Sequence, residues 1–383
     1  MYLLLEWIFF CVLLLSIVFC LYSCFFCLYS FRSPLFLTPF FLLLDYYQEF
    51  PHRITINHHL LRYKAEKTYS IYTQMKKIFK TLTMMAMACA LSATIQAASH
   101  TKPWSNGKLK VSANQRYLQF ENGKPFFFLG DTGWLLPERL DRSEVQYYLQ
   151  KCRAAGFNTV LVQVMNGTPA YNIYGQPSLP AGWDMSKAAP AGMYSYWDHM
   201  DYIVSQAEQN GIYIGMVAIW GSQVKAGNIN ARQAKAYGSF LANRYKDSPN
   251  IIWVMGGDIQ GDIHPEVWES LASSIKSIDH NHLMTYHPRG RYTSAKWWSK
   301  APWIDFHAFQ SGHRKYGQRM GNKDYPIPDN TEEDNWMYVD STWAYKPMKP
   351  VLDAEPSYED IPKGLHDPRE GRWQDYDVRR YAY

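Results

Sequence analysis

From residue 142 onward the chain alternates between two hydrophobic rhythms. Continuous apolar runs bounded by Gly, Asn, Asp and Pro predict strands at 159–165, 212–219, 251–255, 283–286, 305–309 and 350–354. A run without polar alternation reads as a strand buried on both faces, as in a parallel sheet. Between these runs the apolar positions follow a 3.6-residue period and predict helices at 142–155, 194–210, 231–245, 265–278 and 332–343. Asp141 or Ser143 is placed to cap the first helix, and Gly156 and Gly211 follow two helix ends. A further strand at 126–130 opens the series. Ahead of it, Asn122-Gly123 sits between 117–120 and 124–128 and predicts a β-hairpin.

Seven strand–helix steps in order predict an α/β fold, a (β/α)8 TIM barrel, more readily than an open doubly wound sheet. The first strand runs into Gly130-Asp131-Thr132-Gly133-Trp134, which lacks the spacing of a dinucleotide-binding turn. After Glu355 there remain only a loop and a helical start at 375–383. The eighth strand and any C-terminal β-domain therefore find no residues, and the barrel reads as incomplete.

The front of the chain follows other rules. Residues 7–31 form an apolar run without charge, long enough to span a bilayer. From Met75, however, Lys76, Lys77 and Lys80 precede the apolar stretch 82–91, and small residues at 93–98 supply a cleavage site. That is a complete secretory signal. The sequence thus divides into 1–74, an upstream translation or a membrane anchor; 75–98, a signal peptide; and 99–383, the barrel. The expected location is periplasmic or secreted, or membrane-anchored through 7–31 in the alternative. Of six cysteines only Cys152 lies beyond the signal, which excludes an internal disulfide framework. The net charge of +5 is scattered and no nucleic-acid motif accompanies it.

Two strands end in carboxylates: 251–255 runs into Gly256-Gly257-Asp258, and 350–354 into Glu355-Pro356. Barrel chemistry sits at the C-terminal ends of the strands, and paired carboxylates there suit glycoside hydrolysis. Asp258 reads as the general acid/base and Glu355 as the nucleophile. Asp258 has the bland alternative of pairing with Arg289, and Asp262 is its rival. Asp353 alternates with Glu355 and is expected to point the same way, as a buried partner of a His or Arg. Asp131, Trp134, Gln163, Asn166, Trp220, His287, Gln310 and His313 sit at other strand ends and suit a sugar, which offers apolar faces and a fringe of hydroxyls. Trp197, Trp253 and Trp268 have the spacing of packing residues. His287, His307 and His313 with Asp131 raise a metal-dependent hydrolase as an alternative, but His307 has core spacing and the first strand lacks a His-x-His pair. No cofactor and no metal are expected.

The segment Lys124-Pro125-Phe126-Phe127-Phe128-Leu129-Gly130-Asp131-Thr132-Gly133-Trp134 resembles the opening strand of the apiosidase-like barrels, glycoside hydrolase family 140 and its relatives. Gly156-Phe157-Asn158-Thr159-Val160, Trp197-Asp198-His199-Met200-Asp201, Ile252-Trp253-Val254-Met255-Gly256-Gly257-Asp258 and Asp353-Ala354-Glu355-Pro356 fit the same family, over roughly 109–383. The resemblance implies Asp258 as acid/base, Glu355 as nucleophile, and release of apiose from pectin side chains of the plant cell wall. A non-catalytic carbohydrate-binding barrel is the reading from another class. If 75–98 is a working signal, N-terminal sequencing of exported protein will find a start just after Ala98; an anchor at 7–31 would leave the upstream residues attached.

Overall fold

The first strands among the described residues build a small antiparallel sheet, β1 (Leu109–Val111), β2 (Leu118–Phe120) and β3 (Pro125–Phe126), with β2 in the middle. The expected hairpin is present, with Gly123 at φ +87° in its turn. Parallel strands follow: β4 (Gly130–Thr132), β5 (Thr159–Gln163), β7 (Tyr213–Val217), β8 (Ile251–Ile259) and β9 (Met284–Pro288) pair in that order, and β10 (His307–Phe309) pairs with β11 (Val351–Asp353). A short extended segment, β6 (Pro180–Trp183), lies in the loop after β5. The Asp305 amide donates to the Met284 carbonyl at 2.9 Å and sets β10 beside β9. The helices are α1 (Leu136–Arg139), α2 (Arg142–Ala154), α3 (Tyr196–Asn210), α4 (Gly221–Lys225), α5 (Ala231–Tyr245), α6 (Pro265–Lys276), α7 (Ala295–Trp298), α8 (Asn335–Ala344) and α9 (Asp375–Ala382). This is the strand–helix order of the (β/α)8 barrel class.

The computed structural model describes residues 74, 77, 78, 80, 81, 102–189, 192–313, 335–363, 369 and 371–382. The chain divides into two compact units, 1–92 and 93–383. In the first, the described residues are helical, and Thr81 Oγ1 donates to the Lys77 carbonyl at 3.0 Å. The apolar run 7–31, the stretch 93–98 and the first three residues of the expected helix 332–343 lie outside the described residues. Among the described residues no helix is long and apolar enough to cross a membrane.

Local chemistry fixes the helix starts. Asp141 accepts from the Ser143 and Glu144 amides while Glu144 reaches back to the Asp141 amide, so Asp141 is the cap and Ser143 only leans on it. Ser195 with Asp198 and Asn230 with Gln233 repeat the device on α3 and α5. Gly211 closes α3 in the left-handed conformation.

Side-chain alternation sorts the strands into layers. Val160, Val162, Ile214, Met216, Trp253, Met255, Met284 and Tyr286 face the helices, where Trp197 and Trp268 are fully buried, as packing residues should be. Tyr213, Ile252, Leu283 and Phe306 face inward at the N-terminal end, where Leu109, Leu118, Phe120 and Phe126 of the small sheet plug the barrel. Above them Leu161, Val217 and Val254 form a second layer under Phe128, Trp134 and Trp220.

One expected strand is divided. Phe126 belongs to β3 and packs into the plug, 5.4 Å from the Tyr213 ring, and the barrel strand begins only at Gly130. Phe127 to Leu129 carry the chain from plug to barrel, with the Leu129 amide held by Asn158 Oδ1 at 3.0 Å.

Helices α5 and α6 approach through Gly238. A Cβ there would lie 2.1 Å from Ser274 Oγ and 2.7 Å from the Leu271 carbonyl oxygen. Gly238→Ala is therefore expected to destabilise the fold despite its better helix propensity, by about 1–3 kcal/mol as for overpacked cores. Chemical denaturation of the two proteins checks this.

Candidate active site

Glu355 is the second residue past the end of β11, and it is almost wholly enclosed, 7% exposed. Three hydrogen-bonding side chains and a close histidine surround it. Gln310 Nε2 donates to Oε2 at 2.8 Å, and His287 Nε2 lies 3.2 Å from the same oxygen. His313 Nε2 stands 3.0 Å from Oε1, and the Tyr358 hydroxyl donates to Oε1 as well. The Asp258 amide points its hydrogen at His287 Nδ1, 3.4 Å away, and the Nε2 side of the ring faces Glu355. Burial pushes the Glu355 pKa up, but hydrogen bonds and charge from His287 and His313 outweigh it and hold the group below its ordinary value. Glu355 is an ionised carboxylate in a buried, fully bonded setting.

Asp258 is placed by a distortion of β8. Gly256 pairs with His287 and Ile259 with Pro288, so Gly257 and Asp258 bulge out of the ladder. Gly256, Gly257 and Asp258 take φ of +83°, +111° and +53°. A Cβ on Gly256 would meet the His287 carbonyl oxygen at 2.3 Å, and one on Gly257 would meet Trp220 at 2.6 Å. Only glycines fit both the backbone conformation and the space. Asp258 thereby projects into the open mouth of the barrel, exposed but ringed by protein. That surrounding, and then the negative charge of Glu355, raise its pKa; His287, an amide bond from Gly290 and Arg289 act the other way. Arg289 thus acts on Asp258 through its charge. Asp262 sits further out, exposed on the loop.

The aromatic residues form the floor. The Trp134 ring lies 5.5 Å from Trp220 and 5.5 Å from His287, edge-on to the histidine. Trp134 Nε1 donates to the Tyr358 hydroxyl at 2.6 Å. Gln163 is buried on the inward face of β5. Asn166 works through its backbone: its carbonyl accepts from Gln223 Nε2 at 2.9 Å and its amide bonds Glu138.

Two expectations are corrected. Asp131 is not with the others: its Oδ2 accepts from Tyr148 at 2.8 Å and lies 3.5 Å from Cys152 Sγ, both on α2. Because β4 starts at Gly130, alternation turns Asp131 toward the helices and leaves Thr132 facing Tyr358. Burial beside Asp131 also pushes the Cys152 thiol up to about 12, an inert packing group. Asp353 does not share Glu355's neighbours, since the strand ends at Asp353 and the alternation stops with it. Its partner is Ser311, whose Oγ donates at 2.6 Å, and neither a His nor an Arg; burial lifts its pKa to about 7. His307, read as a core position from its spacing, is buried against Ser294, 3.0 Å from its Oγ, while His287 and His313 both lie beside Glu355. Sequence reasoning missed Tyr358 and Thr132. Tyr358 sits three residues beyond the nucleophile candidate in an irregular loop, where no periodicity marks it.

The fold and site have known counterparts. A family model described as the apiosidase-like catalytic domain matches residues 112–383. A crystal structure of a glycoside hydrolase family 5 protein from Bacteroides vulgatus ATCC 8482 is 61% identical, with a TM-score of 0.71 over 74% of this chain and 61% of that one. A second solved structure, named as a glycoside hydrolase, is 62% identical with the same TM-score, over 74% of this chain and 64% of its own. The chain therefore spans less than two thirds of the length of either. A comparison with curated proteins gives no match. The matched family model runs through the strands that carry Asp258 and Glu355, and the chain belongs to the apiosidase-like family.

Proposed function

We propose that this protein is a glycoside hydrolase that releases a terminal sugar, of the apiose type, from side chains of plant cell-wall pectin by a retaining mechanism. The observation that carries this reading is a pair of carboxylates at one barrel mouth in opposite settings, Glu355 buried among hydrogen-bonding side chains and Asp258 exposed on the bulge of β8. Glu355 is held ionised by its donors, while Asp258 is shifted toward its neutral acid form by its surroundings and by Glu355 itself. The names of the two similar structures and of the family support the hydrolytic chemistry. The apiose preference comes from the family resemblance. Export through the signal at 75–98 would bring the protein to such a substrate.

In the first step a Glu355 oxygen bonds to the anomeric carbon as the glycosidic bond breaks, and the Asp258 proton passes to the leaving oxygen. In the second, water attacks the same carbon, Asp258 takes its proton, and Glu355 departs as a carboxylate. Trp134 and Trp220 offer apolar faces to the ring.

Incubation of the full chain with pectic oligosaccharides, followed by chromatography of the products, tests the reading. Release of a monosaccharide whose anomeric configuration is first retained, by proton NMR, is the expected result. Sugar bound without release would favour a non-catalytic binding barrel, and turnover lost on chelation a metal-dependent hydrolase. Asp258→Ala is expected to lower kcat/KM by about 10²–10⁴, the range for a lost general acid. Glu355→Ala should lose at least as much; wild-type rates in either would remove that residue from the mechanism.

The pH profile follows from the two shifts. Glu355 must be ionised and its pKa is lowered, so the acid limb lies below the ordinary glutamate range. Asp258 must be protonated and its pKa is raised, so the alkaline limb lies above the ordinary aspartate range. Measuring kcat/KM against pH checks both limbs.

A further inference from the structure

The N-terminal end of the barrel, opposite the mouth, holds a cavity of about 310 Å³, at the lower end of the range for small-ligand sites. It opens where the chain ahead of β1 meets the loops that lead into β8 and β9. This end of a barrel ordinarily serves stability alone, and a cavity left by imperfect packing is apolar and dry. The lining here is of another kind. One corner is aromatic: Trp104, half-buried, and Tyr213 meet at right angles with 5.7 Å between ring centroids. Tyr213 is 2% exposed, yet its hydroxyl has no hydrogen-bond partner among the described residues. His282, also in the lining, is buried with Nδ1 2.7 Å from the Asp279 carboxylate, and no described residue bonds its Nε2.

The polar rim is already ordered. Lys108 Nζ donates to Asn281 Oδ1 at 2.6 Å, Asn281 Nδ2 to the Lys246 carbonyl at 2.9 Å, and the Lys108 amide to Glu121 Oε2 at 3.1 Å. Gly107 leaves room for that last contact: at φ +90°, a Cβ there would lie 2.6 Å from Glu121 Oε2. Lys108 and Lys246 are matched in the lining by Glu121 and Asp247, so it carries no net charge while His282 is neutral.

We infer that this cavity is a second saccharide site, built for one neutral sugar ring. A sugar offers apolar C–H faces to aromatic side chains and a fringe of hydroxyls that both donate and accept. The Tyr213 hydroxyl and His282 Nε2 have bonding capacity unused, and Lys108, Asn281 and Glu121 add donors and acceptors. An anion finds no net attraction in a lining of balanced charge, and a wholly apolar ligand would strand these polar groups. The site lies at the far end of the barrel from Asp258 and Glu355, so it holds the chain on a polysaccharide without occupying the mouth. It goes beyond the glycosidase reading, and its sugar need not be the one released.

The test is a titration of the full chain with D-galactose, L-rhamnose and L-arabinose, followed by the indole N–H resonances of tryptophan-labelled protein. The Trp104 signal is the one absent from Trp104→Phe. At least one neutral sugar is expected to shift it saturably, with a Kd on the order of millimolar for so small a ligand. Tyr213→Phe removes only the unpartnered hydroxyl, so it should keep or gain stability and raise that Kd about threefold to tenfold. A purely structural Tyr213 would leave the Kd where it was. Lys108→Ala, at an exposed position, should weaken binding likewise, and it carries the test if Tyr213→Phe does not fold. Both variants should turn over substrate as the wild type does. The inference is overturned if none of the three sugars shifts Trp104, or if both variants leave the shift unchanged. A shift produced by phosphate or galacturonate and by no neutral sugar overturns it as well. The readout is binding at Trp104, so a chain that releases no sugar at the mouth loses the glycosidase reading and not this one.

Discussion

A carboxylate taken out of water is the constraint on which this site is built. An uncompensated buried charge would shed its ionisation. Glu355 keeps it because donors converge from three successive strand ends, β9, β10 and β11. That convergence needs the strands side by side and in register, as they are: His307 pairs with Val351 and Phe309 with Asp353. The pairing continues past the strands, with the Gly312 amide on the Glu355 carbonyl and the His313 amide on that of Pro356. Both the side chain and the backbone of Glu355 are thereby located by the same two neighbouring segments.

Asp258 obeys the opposite rule. It has a bulged backbone in place of a cage, and it faces the mouth and not the floor. Its raised pKa comes first from the protein around it and second from Glu355. The difference between Asp258 and Glu355 is thus one of placement: two carboxylates that are alike in water are set apart in pKa by depth, donors and mutual repulsion.

Much of this was legible in the sequence, for identifiable reasons. Continuous apolar runs marked β5, β7, β8, β9 and β11, because a strand covered on both faces has no polar positions to hide it. The acids Asp258 and Glu355 stood out because each interrupts such a run beside Gly or Pro. The orientation of Asp131 was not legible, because it depends on which residue begins β4, and three phenylalanines before it concealed the change from plug to barrel. The same limit separated Asp353 from Glu355: period two holds only while the strand lasts. Tyr358 was invisible because its role is a tertiary contact made from a loop.

The two carboxylates also share a mechanical origin. Trp220 packs so closely on Gly257 that no side chain fits there, which ties the bulge carrying Asp258 to that indole. Trp134 lies against Trp220 and His287, and its N–H holds the Tyr358 hydroxyl on Glu355. One aromatic cluster therefore touches the support of Asp258 on one side and two neighbours of Glu355, His287 and Tyr358, on the other. Below it the apolar layers of Leu161, Val217 and Val254, and then the plug, leave these rings no room to sink. A substitution in this cluster acts on the relation between the carboxylates even where it touches neither, and the plug at the far end of the barrel is part of the packing on which that cluster rests.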